Sequence, residues 1–204
     1  MAGLLSNFRN TFIVGLVLAI VMIVAFATGP HGTDGSFVEA VMRWMHVFFG
    51  ILWIGLLYYF NFVQIRVMPA VPAELKPGVS KYIAPEALFW FRWSALATVI
   101  MGLAIAGQRQ YIVQTLSFGL AGTTSPADQK HYALLGLGMW LGIIMMLNVW
   151  GIIWPNQKRA LGLVEADADT KAKSAKMAML GSRTNMMLSL PMLVSMTMSQ
   201  TLFG

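Results

Sequence analysis

No cysteine occurs among the 204 residues. That absence excludes disulfides, thiolate metal sites and a covalent CxxCH haem attachment, so a c-type cytochrome step would need a separate chain. Charge is scarce as well. Charged residues make up 11% against 57% hydrophobic ones, a balance too apolar for an ordinary soluble domain of this length. Internal repeats and low-complexity segments are missing, and the cluster DADTK at 167–171 lacks the geometry of a metal loop.

What the chain does have is long apolar runs. Five approach the ~20 residues that cross ~30 Å of hydrocarbon, at 12–28, 38–62, 87–107, 132–154 and 184–203. Hydrocarbon offers no partner to backbone polar groups, and runs of this length satisfy them as helices rather than barrel strands. The expected fold is an all-α integral membrane protein. A single transmembrane domain over 1–204 holds a bundle of about five helices. The first run follows Arg9 and ends in AFATG, as a signal peptide does, but it exceeds the ~7–15 residues of a signal core and is read as a retained helix.

The net charge of +6 is not a nucleic-acid signal once its location is considered. Arg9, Arg66, Lys76, Lys81, Lys158, Arg159, Lys171, Lys173, Lys176 and Arg183 fall in alternate segments. Only Arg43, Arg109 and Lys130 lie on the other side, with Arg92 just inside the third run. This asymmetry places the N-terminus in the cytoplasm and the C-terminus outward, in a bacterial-type inner membrane. Nucleic acid is excluded as a partner; the bilayer is the expected one.

The connections differ in character. Residues 29–37 form a Gly-rich outer turn containing His31, and 68–86 carry Pro69, Pro72, Pro77 and Pro85 in an inner loop. The stretch YIVQTLSFGLAG, within the outer segment 108–130, is apolar enough to lie on the membrane surface or against another subunit. Ser125, Pro126 and Asp128 read as a helix start, which puts His131 in the first two turns of the fourth helix. VEADADTKAKSAKMAML, within the basic stretch 155–183, has the pattern of an amphipathic helix on the inner surface.

The most informative residue is His46, an imidazole inside an almost uncharged apolar run. An ionisable group in hydrocarbon is costly and marks a candidate functional site. Gly50, Trp53 and Leu57 follow on its stripe, and the glycine leaves a recess where a macrocycle could approach. Arg43, three residues back, could pair with a propionate. The set suits a non-covalent b-type haem with His46 as axial ligand. His131 is the candidate opposite ligand, with Gly138 and Gly142 on its stripe. All three histidines fall in the outer half. The alternatives stay open: His46 as an interhelical hydrogen-bonding residue, His131 as an interfacial one, His31 as a solvated one. Gly138 and Gly142 equally fit close helix packing.

A second polar group gathers at the inner ends: Asn61, Gln64, Arg92, Asn148, Asn156, Gln157, Lys158, Arg183 and Asn185. It reads either as an anion or substrate entrance or as hydrogen bonds holding helices together. Trp44, Trp53, Trp90 and Trp154, near run ends, fit interfacial anchoring.

Three stretches in order resemble the urate oxidase N-terminal family of membrane-bound urate hydroxylases: RWMHVFFGILWIGLLYYFNFVQ, NVWGIIWPNQKRALG and SRTNMMLSLPMLVSM. FWFRWSALATVIMGLAI at 89–105 fits the same pattern, so the resemblance spans roughly 40–200. It implies an integral membrane redox protein whose relatives join this domain to a C-terminal cytochrome c and feed electrons from urate to the respiratory chain. This chain has no haem c motif and stops at Gly204, a short form of that pattern. His46, Asn148, Trp154, Pro155, Asn156, Gln157, Arg183 and Asn185 are the family-like positions.

Two functional expectations result. One is an oxidoreductase component that holds haem b and passes electrons to a separate cytochrome c or a quinone. The other is a cofactor-free accessory subunit of a larger respiratory or oxidase complex. A small-anion carrier using Arg92, Arg183 and the asparagines is a third, weaker expectation.

Overall fold

The computed structural model describes residues 2–29, 32–123 and 125–203. It is 85% helical, with no strand among the described residues. The chain divides into two compact units, Met1–Trp44 and Met45–Gly204.

The first unit holds a short turn, Ala2–Leu5, then helix α1, Phe8–Ala27, and the start of helix α2, Gly35–Tyr58. Asn7 caps α1 by accepting from the Asn10 N–H at 3.2 Å, and Asp34 accepts from the Phe37 N–H at 2.9 Å at the start of α2. No residue of α1 is buried. A helix that is apolar on every face suits hydrocarbon surroundings, because it has no polar side to turn to water. Within α2, Arg43 donates to Glu39 at 2.6 Å across one turn, and Glu39 is buried.

The second unit takes up α2 from Met45 onward. Its helices are α3 (Ala84–Gln108), the short α4 (Ile112–Leu116), α5 (Pro126–Asn148) and α6 (Ala168–Phe203). Wide π-helical turns extend the long ones: Tyr59–Gln64 after α2, Val79–Ile83 before α3 and Val149–Ile153 after α5, the last leading into Trp154–Ala160. Two of these turns have a local cause. Pro85 and Pro155 lack an N–H and would press on the carbonyl four residues back, and widening the turn relieves both problems. At the third, the Asn61 side chain donates to the Leu57 carbonyl at 2.9 Å, entering the ladder that the backbone would otherwise complete.

Among the described residues, five helices are long and apolar enough to cross a membrane: Phe8–Ala27, Gly35–Ala70, Lys76–Gln108, Pro126–Ala160 and Ala168–Phe203. Four of them run well beyond the limits expected from the sequence. The largest difference is at 164–180, where no separate surface helix forms. From Ala168 onward those residues are continuous with the last apolar run.

Asp167 starts α6, accepting from the Thr170 N–H at 2.7 Å and from its hydroxyl at 2.8 Å. Those bonds favour the ionised carboxylate and hold its pKa below the usual aspartate value. Because the folded-state pKa is lowered, the cap contributes above the unfolded pKa and is lost as pH falls through the folded one. Protection of the Thr170 amide against exchange, corrected for the intrinsic rate at each pH, is therefore expected to fall on acidification through the carboxylate range. In Asp167→Asn that pH dependence should disappear.

The core of this unit combines Trp53, Leu57 and Phe60 with Leu88, Phe91, Ala95, Met145, Val149, Ile153 and Met192. Phe60 and Phe91 meet edge to face at 5.5 Å. Trp53, expected as an interfacial anchor, is 1% exposed and sits in this core. The start of α5 matches the sequence expectation: Ser125 accepts from the Asp128 N–H at 3.1 Å, with Pro126 in the first turn. The segment around α4 folds back on this same chain. Gly136 lies against the Thr115 backbone, and the Trp140 indole donates to the Leu116 carbonyl at 3.0 Å.

Candidate functional site

His46 faces α3. Its Nδ1 lies 2.8 Å from the Thr98 carbonyl oxygen. A carbonyl can only accept, so Nδ1 carries the proton, and in the neutral ring Nε2 then bears the lone pair. The ring rests on Gly102: a Cβ there would meet His46 Cε1 at 3.0 Å and Nδ1 at 3.2 Å. Gly50, expected to open a recess, faces the Thr98 methyl, which would lie 3.8 Å from an added Cβ. The helices thus approach closely on this flank. The hydroxyls of Ser94 and Thr98 are satisfied within α3, donating to Trp90 at 2.6 Å and Ser94 at 2.7 Å. One turn beyond Gly50, the buried Trp53 Nε1–H has no hydrogen-bond partner among the described residues.

The other candidate ligands are placed elsewhere. His131 stacks on Tyr132 at 5.1 Å and on Phe203 of α6 at 5.5 Å. Gly138, on its stripe, is a packing position: a Cβ would meet Ser195 Oγ at 2.8 Å and two Met196 atoms at 3.2 Å. Gly142 has nothing within 4 Å of that position. Arg43, in the first unit, is engaged by Glu39. His31 lies outside the described residues. Among the described residues no group of three or more His, Cys, Asp or Glu could hold a metal ion.

The asparagines do come together, on α6. Asn148 Nδ2 donates to the Gly181 carbonyl at 2.9 Å and to Asn185 Oδ1 at 2.7 Å. Asn185 Nδ2 donates in turn to the Met145 carbonyl at 3.0 Å. Asn61 Nδ2 donates to Ser182 Oγ at 2.9 Å, and the Tyr58 hydroxyl meets Ser189 Oγ at 3.1 Å. Each amide joins two helices, which is the packing role; Asn148 Oδ1 is left buried with no donor among the described residues. Asn185 is 0% exposed, and Asn185→Leu would remove one of the two bonds donated by the Asn148 amide together with the bond to the Met145 carbonyl. We expect a loss of ~1–2 kcal/mol, against ~0.6 for Asn61→Leu, in thermal unfolding in detergent.

The remaining members of the inner group stay apart from this network. Asn156 Nδ2 donates to the Ile152 carbonyl of its own turn at 2.8 Å, and Arg183 is exposed. Arg92 turns to Trp154, its guanidinium carbon 3.9 Å from the ring centre, while the Trp150 indole donates to the Arg92 carbonyl at 3.1 Å. Sequence reasoning missed Tyr58, Thr98, Ser182 and Ser189. Ser182 and Ser189 were findable, since they share the Asn185 face at three and four residues. Thr98 was not, because it acts through a backbone carbonyl.

The family model for urate oxidase N-terminal matches residues 107–201. This is the family that the motifs resemble, and the match covers α4, α5 and α6 with the Asn148–Asn185 pair. No curated protein and no solved structure matches the chain.

Proposed function

We propose that this chain, matched to the urate oxidase N-terminal family over 107–201, is the membrane-embedded redox component of a urate-linked oxidoreductase. It holds a b-type haem at His46 and delivers electrons to a separate cytochrome c or a quinone. It lies in a bacterial-type cytoplasmic membrane with its N-terminus inside. One observation carries the reading: the Thr98 carbonyl fixes the Nδ1–H tautomer of His46. Ligating histidines are commonly held this way, with one ring N–H bonded to a backbone carbonyl that fixes tautomer and ring orientation. The unpartnered Trp53 N–H supplies a donor inside the bundle, on the same stripe, for a polar group of a bound ligand. Haem would supply one-electron chemistry; the protein would orient His46 through Thr98 and exclude water with the core around Trp53. His131 is the candidate opposite ligand and would have to leave its stack on Phe203 to serve.

A second reading is favoured by the seat of His46 on Gly102. A ring lodged against a glycine and bonded to a neighbouring backbone is also how a partly buried histidine joins two helices. In that case the chain is a cofactor-free subunit of a larger complex. The spectrum of the purified protein, reduced minus oxidised, separates the two. A Soret band with a sharpened α band supports haem; a colourless protein that co-purifies in fixed ratio with other subunits supports the alternative.

A further inference from the structure

Three features stand outside the redox reading: the groove between α5 and α6 over Asn148, the apolar groove between α1 and α2, and the cations around Trp154. The last carries an inference. The guanidinium carbon of Arg92 lies 3.9 Å from the centre of the Trp154 ring, and Lys158 Nζ lies 5.7 Å from the same centre. The fold thus gathers two positive charges around one indole. Neither takes part in an ion pair among the described residues. Glu86 accepts from the Trp90 indole at 3.0 Å and lies six positions from Arg92, on another face of α3. Two cations gathered at one indole without a carboxylate leave net positive charge there, which an anion would balance.

The surroundings identify the anion. Phe89, Trp90 and Trp93 flank Arg92 along α3 with 42%, 42% and 46% of their surface exposed. Phe89 lies 5.2 Å from the guanidinium, and Trp93 meets Trp150 edge to face at 5.2 Å. Exposed indoles clustered at one end of membrane-length helices mark the depth of the lipid headgroups. At that depth the anion available to arginine and lysine is a phosphodiester, which the planar guanidinium can grip with two parallel N–H bonds. A choline headgroup would bring a positive charge back into the site, so the fitting lipid has net negative charge.

We infer that Arg92, Lys158 and Trp154 form a binding site for the phosphodiester of an anionic phospholipid. The inference rests on the membrane reading but not on haem. Its test begins by washing membranes carrying the full chain with alkaline carbonate. Detergent-purified protein is then titrated with phosphatidylglycerol or phosphatidylcholine, and retained lipid is counted by native mass spectrometry. Retention of phosphatidylglycerol at least tenfold above phosphatidylcholine is expected, falling to the phosphatidylcholine level in the Arg92→Gln, Lys158→Gln double variant. The charge-preserving Arg92→Lys, Lys158→Arg pair should keep the preference, as should Lys173→Gln at an exposed position. A preference unchanged in the double glutamine variant overturns the site. Binding of inorganic phosphate that depends on Arg92, with no preference for phosphatidylglycerol, assigns it to free anions and overturns the lipid. If carbonate strips the chain from the membrane, the membrane reading fails and this proposal with it. Loss of the lipid preference alone leaves that reading standing.

Discussion

Gly136→Ala is expected to destabilise the protein by ~3 kcal/mol and to release α4 from α5. An added Cβ at this position runs into the carbonyl oxygen and carbon of Thr115, and a backbone cannot turn aside as a long side chain can. Thr115 is fully buried, its hydroxyl bonded to the Tyr111 carbonyl at 2.9 Å, so the whole turn has to lift. Lifting it also removes the bond from the Trp140 indole to Leu116. Deuterium exchange at 112–116 should rise by orders of magnitude while the centre of α6 stays protected. Gly142→Ala is the comparison, because its Cβ position is open. There the better helix propensity of alanine should leave stability unchanged or raise it by up to ~1 kcal/mol. Equal losses at the two glycines would mean that the close approach at Thr115 is not present in the folded protein.

His46→Ala is expected to have the second large effect, on two independent readouts. Removing the ring loses the bond to Thr98 and the contact with Gly102, a destabilisation of ~1–2 kcal/mol for a partly buried hydrogen-bonded group. If haem is held at Nε2, the same change abolishes the Soret band in protein that still folds. Gly102→Ala tests the geometry without deleting the ligand. Its Cβ would sit 3.0 Å from Cε1, so the ring must shift by a few tenths of an ångström. A changed band position or haem content in Gly102→Ala, with the protein still folded, would tie the spectrum to the seat on α3. Normal spectra in both variants would remove His46 from the site.

The five membrane-length helices were legible in the sequence because apolar runs of that length have few other uses. Their ends were not. Lys76–Ile83 and Asn156–Ala160 are polar and so fall outside a hydropathy profile, yet they are helical, and Ala168–Ser182, expected as a separate surface helix, is continuous with the apolar run after it. The last is rich in alanine and lysine, both good helix formers, and nothing at 180–183 interrupts it. The grouping of Asn61, Asn148 and Asn185 was visible from their similar depth in three runs. The face shared by Ser182, Asn185 and Ser189 was visible too, but not which of these serines bonds across to another helix, because many helical serines bond to their own preceding turn, as Ser94 does. The partner of His46 had no signature at all, since any residue at position 98 brings a carbonyl. Gly50 was expected to make room, and the group it faces on the next helix is the Thr98 methyl, 3.8 Å from where a Cβ would sit. Spacing along one helix gives a stripe but not what the neighbouring helix places on it.

The widened turn at Val149–Ile153 carries a mechanical consequence. An ordinary helix advances ~100° per residue, so one residue more or fewer there changes the azimuth of everything that follows. Excising Gly151 would remove one residue from that turn and swing Trp154 and Lys158 around the axis, away from Arg92, with every interacting side chain still in the sequence. The contact between that arginine and the indole is in this sense a matter of angular phase, set by a surplus residue at a distance from either partner.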